Sequence, residues 1–273
     1  MNRLETLNIR DPFVLVDQGK YYLYAAGEED GRPCFQVRRS SDMENFEDPV
    51  TVFRTIPSYW GTQDFWAPEV HRYQDRFYLF ASFKAPGKAR GTSILVADRP
   101  EGPFQPVYNG PVTPAQWECL DGTFWCESGV PYILFCREWL QVKDGEIYIA
   151  RLKTDLSGLA SDPILLFKGS QAKWTAPFCG EGNYVTDGPF LFRKDGSYEL
   201  LWSSFSQKGY ALGIAKSKTL FSGWVNADKP IYDHNGGHGM VFEDHGRPTI
   251  IIHSPNGPGG KERPTLLPLN QVD

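Results

Sequence analysis

Five stretches of this 273-residue chain align without gaps at their starts, and no other feature limits its fold so strongly. They are DPFVLVDQGKYYLYAA from Asp11, APEVHRYQDRFYLFAS from Ala67, DGTFWCESGVPYILFC from Asp121, DGPFLFRKDGSYELLW from Asp187 and HGMVFEDHGRPTIIIH from His238. Each reads as strand, polar turn, strand. The turns VDQGK, YQDRF, CESGV, RKDGS and EDHGR carry the Gly and Asp chemistry that closes a β-hairpin, between flanks rich in aliphatic and aromatic residues. A further strand, a turn and the start of another follow most hairpins, as in ILVADRPEGPFQP and LGIAKSKTLFSGWVNADKP.

Four strands per unit, with starts 56, 54, 66 and 51 residues apart, describe the blades of a propeller. The predicted fold is therefore all-β: a five-bladed β-propeller forming a single catalytic domain over residues 1–273. The fifth unit is short, and the segment before Asp11 is expected to complete its blade. A β-sandwich is the architectural alternative, and the regular period argues against it. Aromatic residues, 14% of the chain, fall in short runs between turn residues, as many short strands require.

Charge and hydropathy exclude several classes. The net charge of -5 is scattered, with no basic block to follow a phosphate backbone, so no nucleic-acid partner is expected. No apolar run is long enough to span a bilayer, and MNRLETLNIRDPF lacks the apolar core of a secretory signal. The expectation is a cytoplasmic protein with no membrane or protein partner. Cys34, Cys119, Cys126, Cys136 and Cys179 are odd in number and lack zinc-ligand spacing, which predicts buried free thiols.

In a propeller the first strand of every blade lines the central channel, so equivalent positions of the repeat become neighbours at one mouth. The leading column is Asp11, Ala67, Asp121, Asp187 and His238. One Asp before Gly or Pro is an ordinary turn residue. Three in one column place like charges together, where each raises the others' pKa. Clustered carboxylates suit glycoside hydrolysis, which needs a protonated acid and an ionised partner. Phe65, Trp66 and Trp125, near the same mouth, are candidates to stack on sugar faces.

With IRDPFVLVDQGKYYLYAA, FWAPEVHRYQDRFYLFAS, LDGTFWCESGVPYILF, TDGPFLFRKDGSYELLWSS, GHGMVFEDHGRPTIIIHSPN and the later ERP, the chain resembles glycoside hydrolase family 43 over nearly its whole length. The resemblance implies an inverting, exo-acting hydrolase that releases arabinofuranosyl or xylosyl units from plant-type oligosaccharides. It makes Asp11 the general base, Asp121 the residue that orients the acid and tunes its pKa, and Asp187 the general acid. The family generally has Glu at that last position, so Glu181 is a rival donor. The shorter side chain also keeps open an inactive carbohydrate-binding propeller, and related propellers include phosphate-dependent phosphorylases. His238 resembles an axial histidine that often faces a water-coordinated metal, frequently calcium; a histidine bonded to channel water is the equal alternative. No cofactor is required for the chemistry. Glu69, two residues past the column, and Arg263 of ERP are candidate ligands for sugar hydroxyls.

Overall fold

A computed structural model describes residues 2–257 and 259–269, and all five predicted hairpins are present in it. Gln18-Gly19, Gln74-Asp75, Ser128-Gly129, Asp195-Gly196 and His245-Gly246 each have both central residues at positive φ. This is the two-residue turn whose twist matches that of the strands it joins. One local solution is thus used five times.

Each hairpin opens an antiparallel sheet in which strands follow one another in chain order. The first blade is Phe13–Asp17, Lys20–Glu29, Arg32–Ser40 and Val50–Arg54. The second comprises Gln63–Tyr73, Arg76–Lys84, Gly91–Ala97 and the short Gln105–Pro106. Cys119–Glu127, Val130–Arg137, Glu146–Arg151 and Ile164–Lys168 form the third, and Asp187–Lys194, Ser197–Ser206, Gly209–Ser217 and Val225–Asn226 the fourth. Among the described residues the fifth has three strands, Gly237–Asp244, Arg247–Ser254 and Arg263–Pro268.

The core lies between blades. Phe80, Ile94, Ile133 and Phe135 fill the gap between the second and third, Leu134, Ile147, Leu200 and Trp202 the next, and Leu201, Leu212, Ile250 and Ile252 the one between fourth and fifth. The largest cluster joins the fifth, first and second blades and closes the ring. Rings of Phe190, Phe13, His71 and Phe124, from four different inner strands, touch in that order at centroid distances of 5.0–6.3 Å. Side chains of four blades meet only near the axis, so the channel there is plugged and its mouth is a pocket.

The expected completion of the fifth blade does not occur. Asn2–Arg3 pairs with Asn45–Phe46 beside the first blade, and Leu4–Thr6 coils into a single 3-10 turn that interrupts any longer strand. Closure instead uses scattered hydrogen bonds, among them Ile9 N–H to Glu262 O at 3.2 Å and the Tyr21 hydroxyl to Asp244 Oδ1 at 3.3 Å, together with apolar packing. Leu4, Leu7 and Ile9 share a core with Met240, Phe242 and Ile251. Two thiol expectations also fail: Cys34, Cys119 and Cys136 are buried, but Cys126 and Cys179 are exposed, the first near the outer end of an inner strand and the second on a loop. Among the described residues no helix is long and apolar enough to cross a membrane.

Candidate active site

Every inner strand begins with the same kink. Asp11, Ala67, Asp121, Gly188 and His238 have φ between 45° and 55°, and each is followed by Pro or Gly. In blades two to five the strand pairing skips this residue and the next, as at Leu120/Thr123 and Gly237/Met240. Such a bulge bends the strand and re-aims one side chain, here toward the mouth.

The fourth member of the column is therefore Gly188 and not Asp187, a correction to the sequence register. A Cβ built on Gly188 lies 2.8 Å from Cγ of His238, so no side chain fits there. The carboxylate is carried one residue earlier, where Asp187 pairs with Ser203 as Trp66 pairs with Ser82.

The corrected register exposes a second column. Ser82, Cys136, Ser203 and His253 stand fifteen positions after Ala67, Asp121, Gly188 and His238 and sit on the second strand of each blade. Three of them accept the kink N–H of the following blade. Asp121 N–H donates to Ser82 Oγ (2.9 Å), His238 N–H to Ser203 Oγ (2.7 Å) and Asp11 N–H to His253 Nδ1 (3.2 Å). Where the series places Cys136, the N–H of Gly188 donates to Asp121 Oδ2 at 3.0 Å. Blade thus hands on to blade.

The mouth of the channel is a cavity of about 620 Å³. Asp11, Asp121, Asp187 and His238 all line it, as do Trp66, Trp139 and Tyr210. His238 Nδ1 lies 3.1 Å from Asp11 Oδ1 and 3.9 Å from Asp121 Oδ2. His253, fully buried, places Nδ1 3.2 Å from the same Asp11 oxygen, and its Nε2 meets Asn256 Oδ1 at 3.2 Å. The Tyr210 hydroxyl donates to Asp187 Oδ2 at 3.1 Å.

These contacts separate the acids. Burial favours a neutral Asp11, but the charge and hydrogen bond of His238 hold its carboxyl well below the usual range. Burial opposes charge on His238 too, yet Asp11 and Asp121 raise that imidazole to about 10. Asp121 is raised by burial, a shift that His238 restrains and Asp11 reinforces. Asp187 is pushed up to about 7, by burial first and the Asp121 charge second. A carboxylate kept ionised and a carboxyl kept protonated near neutrality thus share one cavity, the division of labour that acid–base chemistry on a glycosidic bond requires.

Other expected residues go elsewhere. Glu181 is exposed on its loop and does not line the cavity. Phe65 is buried among Phe35, Phe53 and Phe83, since it precedes Trp66 and faces the opposite side of the strand. Glu69 follows the bulge, which cancels the alternation from Ala67; it is buried and bonds His71 Nε2 at 2.9 Å. Trp125 packs on Tyr198 and donates to Glu127 Oε2, and Arg263 turns to the carbonyls of Gly260 and Glu262. Of the aromatic candidates only Trp66, 40% exposed, remains at the cavity.

Trp66 is backed by a residue the sequence reading missed. The buried guanidinium of Arg90 lies 4.1 Å from its ring centroid and is tied to Asp64 and Glu138. Glu138 itself lines the cavity. Arg90 escapes a repeat-based reading because it lies in a loop, outside every aligned segment. His253 did leave a signal, as the last letter of the fifth repeat.

The donor set for a metal is poor. Calcium takes six to eight oxygens. His238 commits Nδ1 to Asp11, and among the described residues no group of three or more His, Cys, Asp or Glu side chains is arranged to hold a metal ion. The cavity suits a phosphate no better: its basic side chains are Arg10, set against Asp11 and Glu262, and His238.

A five-bladed propeller with carboxyl groups of opposite tuning at its mouth defines a class of glycosidases. The family model described as Glycosyl hydrolases family 43 matches residues 4–267, and the chain belongs to that family. It is similar to the crystal structure of an endo-arabinase from Bacteroides thetaiotaomicron, with 42% identity, a TM-score of 0.91, and coverage of 98% of this chain and 96% of that one. A thermostable family-43 glycoside hydrolase gives 25% identity and a TM-score of 0.84 over 97% and 91% of the two chains. Among curated proteins, an extracellular exo-alpha-(1->5)-L-arabinofuranosidase, ArbA of Cellvibrio japonicus, is 24% identical over 86% of this chain and 71% of its own length. The protein is a glycoside hydrolase.

Proposed function

We propose that the protein hydrolyses arabinofuranosyl linkages with inversion, Asp11 activating water while Asp187 protonates the departing oxygen. The observation that carries this is the opposite tuning of the two carboxyls in one cavity, ionised Asp11 beside His238 and Asp187 held to about 7. Asp121 is the positioning residue: its charge contributes to the raised pKa of Asp187, and its Oδ2 accepts the N–H of the very next residue, Gly188. The retained cavity carboxyl at Asp187 speaks against an inactive binding propeller, and the scarcity of cations speaks against a phosphorylase.

Arabinofuranosides come first as substrate, because both the 42% identical structure and ArbA are arabinan-type enzymes by name; xylosides come second. The exo action expected from the sequence is supported by the name of ArbA, whereas the more similar bacterial structure is an endo-arabinase. We place internal cleavage first on that ground. No step of this chemistry calls on a metal, and Nδ1 of His238 is engaged by Asp11.

The test is product release from arabino-, xylo- and galacto-oligosaccharides by the native protein and by Asp11→Asn, with and without a chelator. Shorter oligosaccharides are expected from arabinan, monosaccharide alone if action is from the chain end. Loss of the base lowers turnover by roughly 10²–10⁴-fold, and chelation leaves it unchanged. The product's anomeric configuration, followed by NMR in the first turnovers, reports inversion. Undiminished release by Asp11→Asn would remove this residue from the mechanism.

A further inference from the structure

Tyr210 and His253 are two buried aromatic groups that the proposed chemistry does not itself use. Their rings are stacked, with centroids 5.6 Å apart and planes 16° from parallel. Each holds a different carboxyl. Tyr210 donates to Asp187 Oδ2, and His253 Nδ1 accepts the N–H of Asp11, which holds that residue with its Oδ1 3.2 Å from the ring nitrogen.

A second path joins the same two residues. Tyr210 N–H donates to Asn235 Oδ1 at 3.3 Å, and the Asn235 side chain donates to the carbonyl of Asn256 at 2.8 Å. The Asn256 N–H returns a bond to Asn235 O at 2.7 Å, and Asn256 Oδ1 meets His253 Nε2. The stack and these bonds form a closed circuit of four residues, through side-chain and backbone atoms, from Tyr210 through Asn235 and Asn256 to His253. The Tyr210 ring is further clamped edge-on by Phe205 and by Gly237, whose built Cβ lies 2.8 Å from Tyr210 Cε1.

We infer that Tyr210 and His253 are paired positioning residues, which fix the proton donor Asp187 and the water-activating Asp11 relative to each other through their stacked rings. Both contacts are made to groups from other strands: Asp187 opens the inner strand of the fourth blade, and Asp11 lies two residues before that of the first, across the fifth blade. The stack is therefore the brace between them. A chain that carries the short Asp at the donor position has little reach to correct a misplaced carboxyl, and an error of about 1 Å in a reacting group costs roughly 10²-fold in rate. The Tyr210 hydroxyl supplies the missing constraint on that side.

The inference rests on the proposed roles of Asp187 and Asp11, and leaving-group chemistry separates it from them. 4-Nitrophenyl α-1,5-L-arabinobioside, which fills the sites on both sides of an internal cleavage point, has a leaving group acidic enough to depart without a proton, whereas α-1,5-arabinotriose does not. Native protein inactive on both sinks the proposed function, and with it this inference. Given native activity, Tyr210→Phe keeps the ring and the stack and removes only the hydroxyl, so it is the variant most apt to fold. Its kcat on arabinotriose is expected to fall by roughly tenfold more than its kcat on the aryl glycoside, with KM little changed. His253→Gln retains an amide near Nε2 but withdraws the contact to Asp11; it is expected to lose similar factors on both substrates, because water must be activated in either case. His253→Asn, whose amide stands near Nδ1, is expected to recover part of that loss. Equal losses on both substrates for Tyr210→Phe, or a His253→Gln loss confined to arabinotriose, would overturn the assignment. So would native kinetics in either variant.

Discussion

At the residue scale the site is a set of carboxyls that differ only in their neighbours. Asp11 meets two imidazoles; Asp187 meets a phenol and the field of Asp121. Turnover should accordingly fall as pH rises through about 7, where Asp187 loses its proton, while Asp11 remains ionised well into acid. The kcat/KM profile of the native protein checks this, with a basic limb near that pH. The same shift has a sign for stability. The folded protein keeps the Asp187 proton to about 7, whereas an unfolded Asp releases it near 3.8, so stability contributed by this group is lost as pH rises between those values. Asp187→Asn does not titrate, and its melting temperature should exceed that of the native protein at pH 8, with the difference closing toward pH 4. His238 behaves in the usual way for a partnered histidine: its raised pKa stabilises the fold fully below about 6.5 and ceases to do so as pH climbs through about 10.

At the scale of the element, the working part is the kinked entry to each inner strand. The kink explains why a left-handed backbone recurs at five equivalent places, one of which must be glycine. Gly188→Ala brings a methyl within 2.8 Å of the His238 ring and is expected to cost about 1–3 kcal/mol in urea denaturation, with loss of activity as His238 leaves Asp11. The sequence showed most of this element and misread part of it. Asp11, Asp121 and His238 were legible because a repeat brings equal positions to one place, and the five hairpins because two-residue turns announce themselves in Gly and Asp. Asp187 was found but set one residue out of register, since DGP reads like DGT until the space beside His238 is known. Glu69 was misplaced because alternation assumes an unbroken strand, and the bulge at Ala67-Pro68 breaks it. Tyr210, Asn235 and Asn256 left no pattern at all. Their roles depend on contacts between blades, which one-dimensional spacing does not report.

For the whole molecule, the ring is fastened by packing where a shared strand was expected. Ile9, 6% exposed, is part of that fastening, and Ile9→Ala is expected to lower stability by about 2–5 kcal/mol in urea denaturation. Activity should fall with it at temperatures where the native protein is stable, because Asp11 lies only two residues further on. The residues that grip Asp11 are His238 and His253, so the beginning of the chain acquires its chemistry from the last blade. During synthesis the ribosome delivers Asp11 first and its two histidines more than two hundred residues later. A nascent chain stopped before the fifth blade would hold both acids and still lack His238, which keeps one of them ionised, and His253, which binds its backbone N–H. The contacts that hold Asp11 are thus completed only when the last blade has been made.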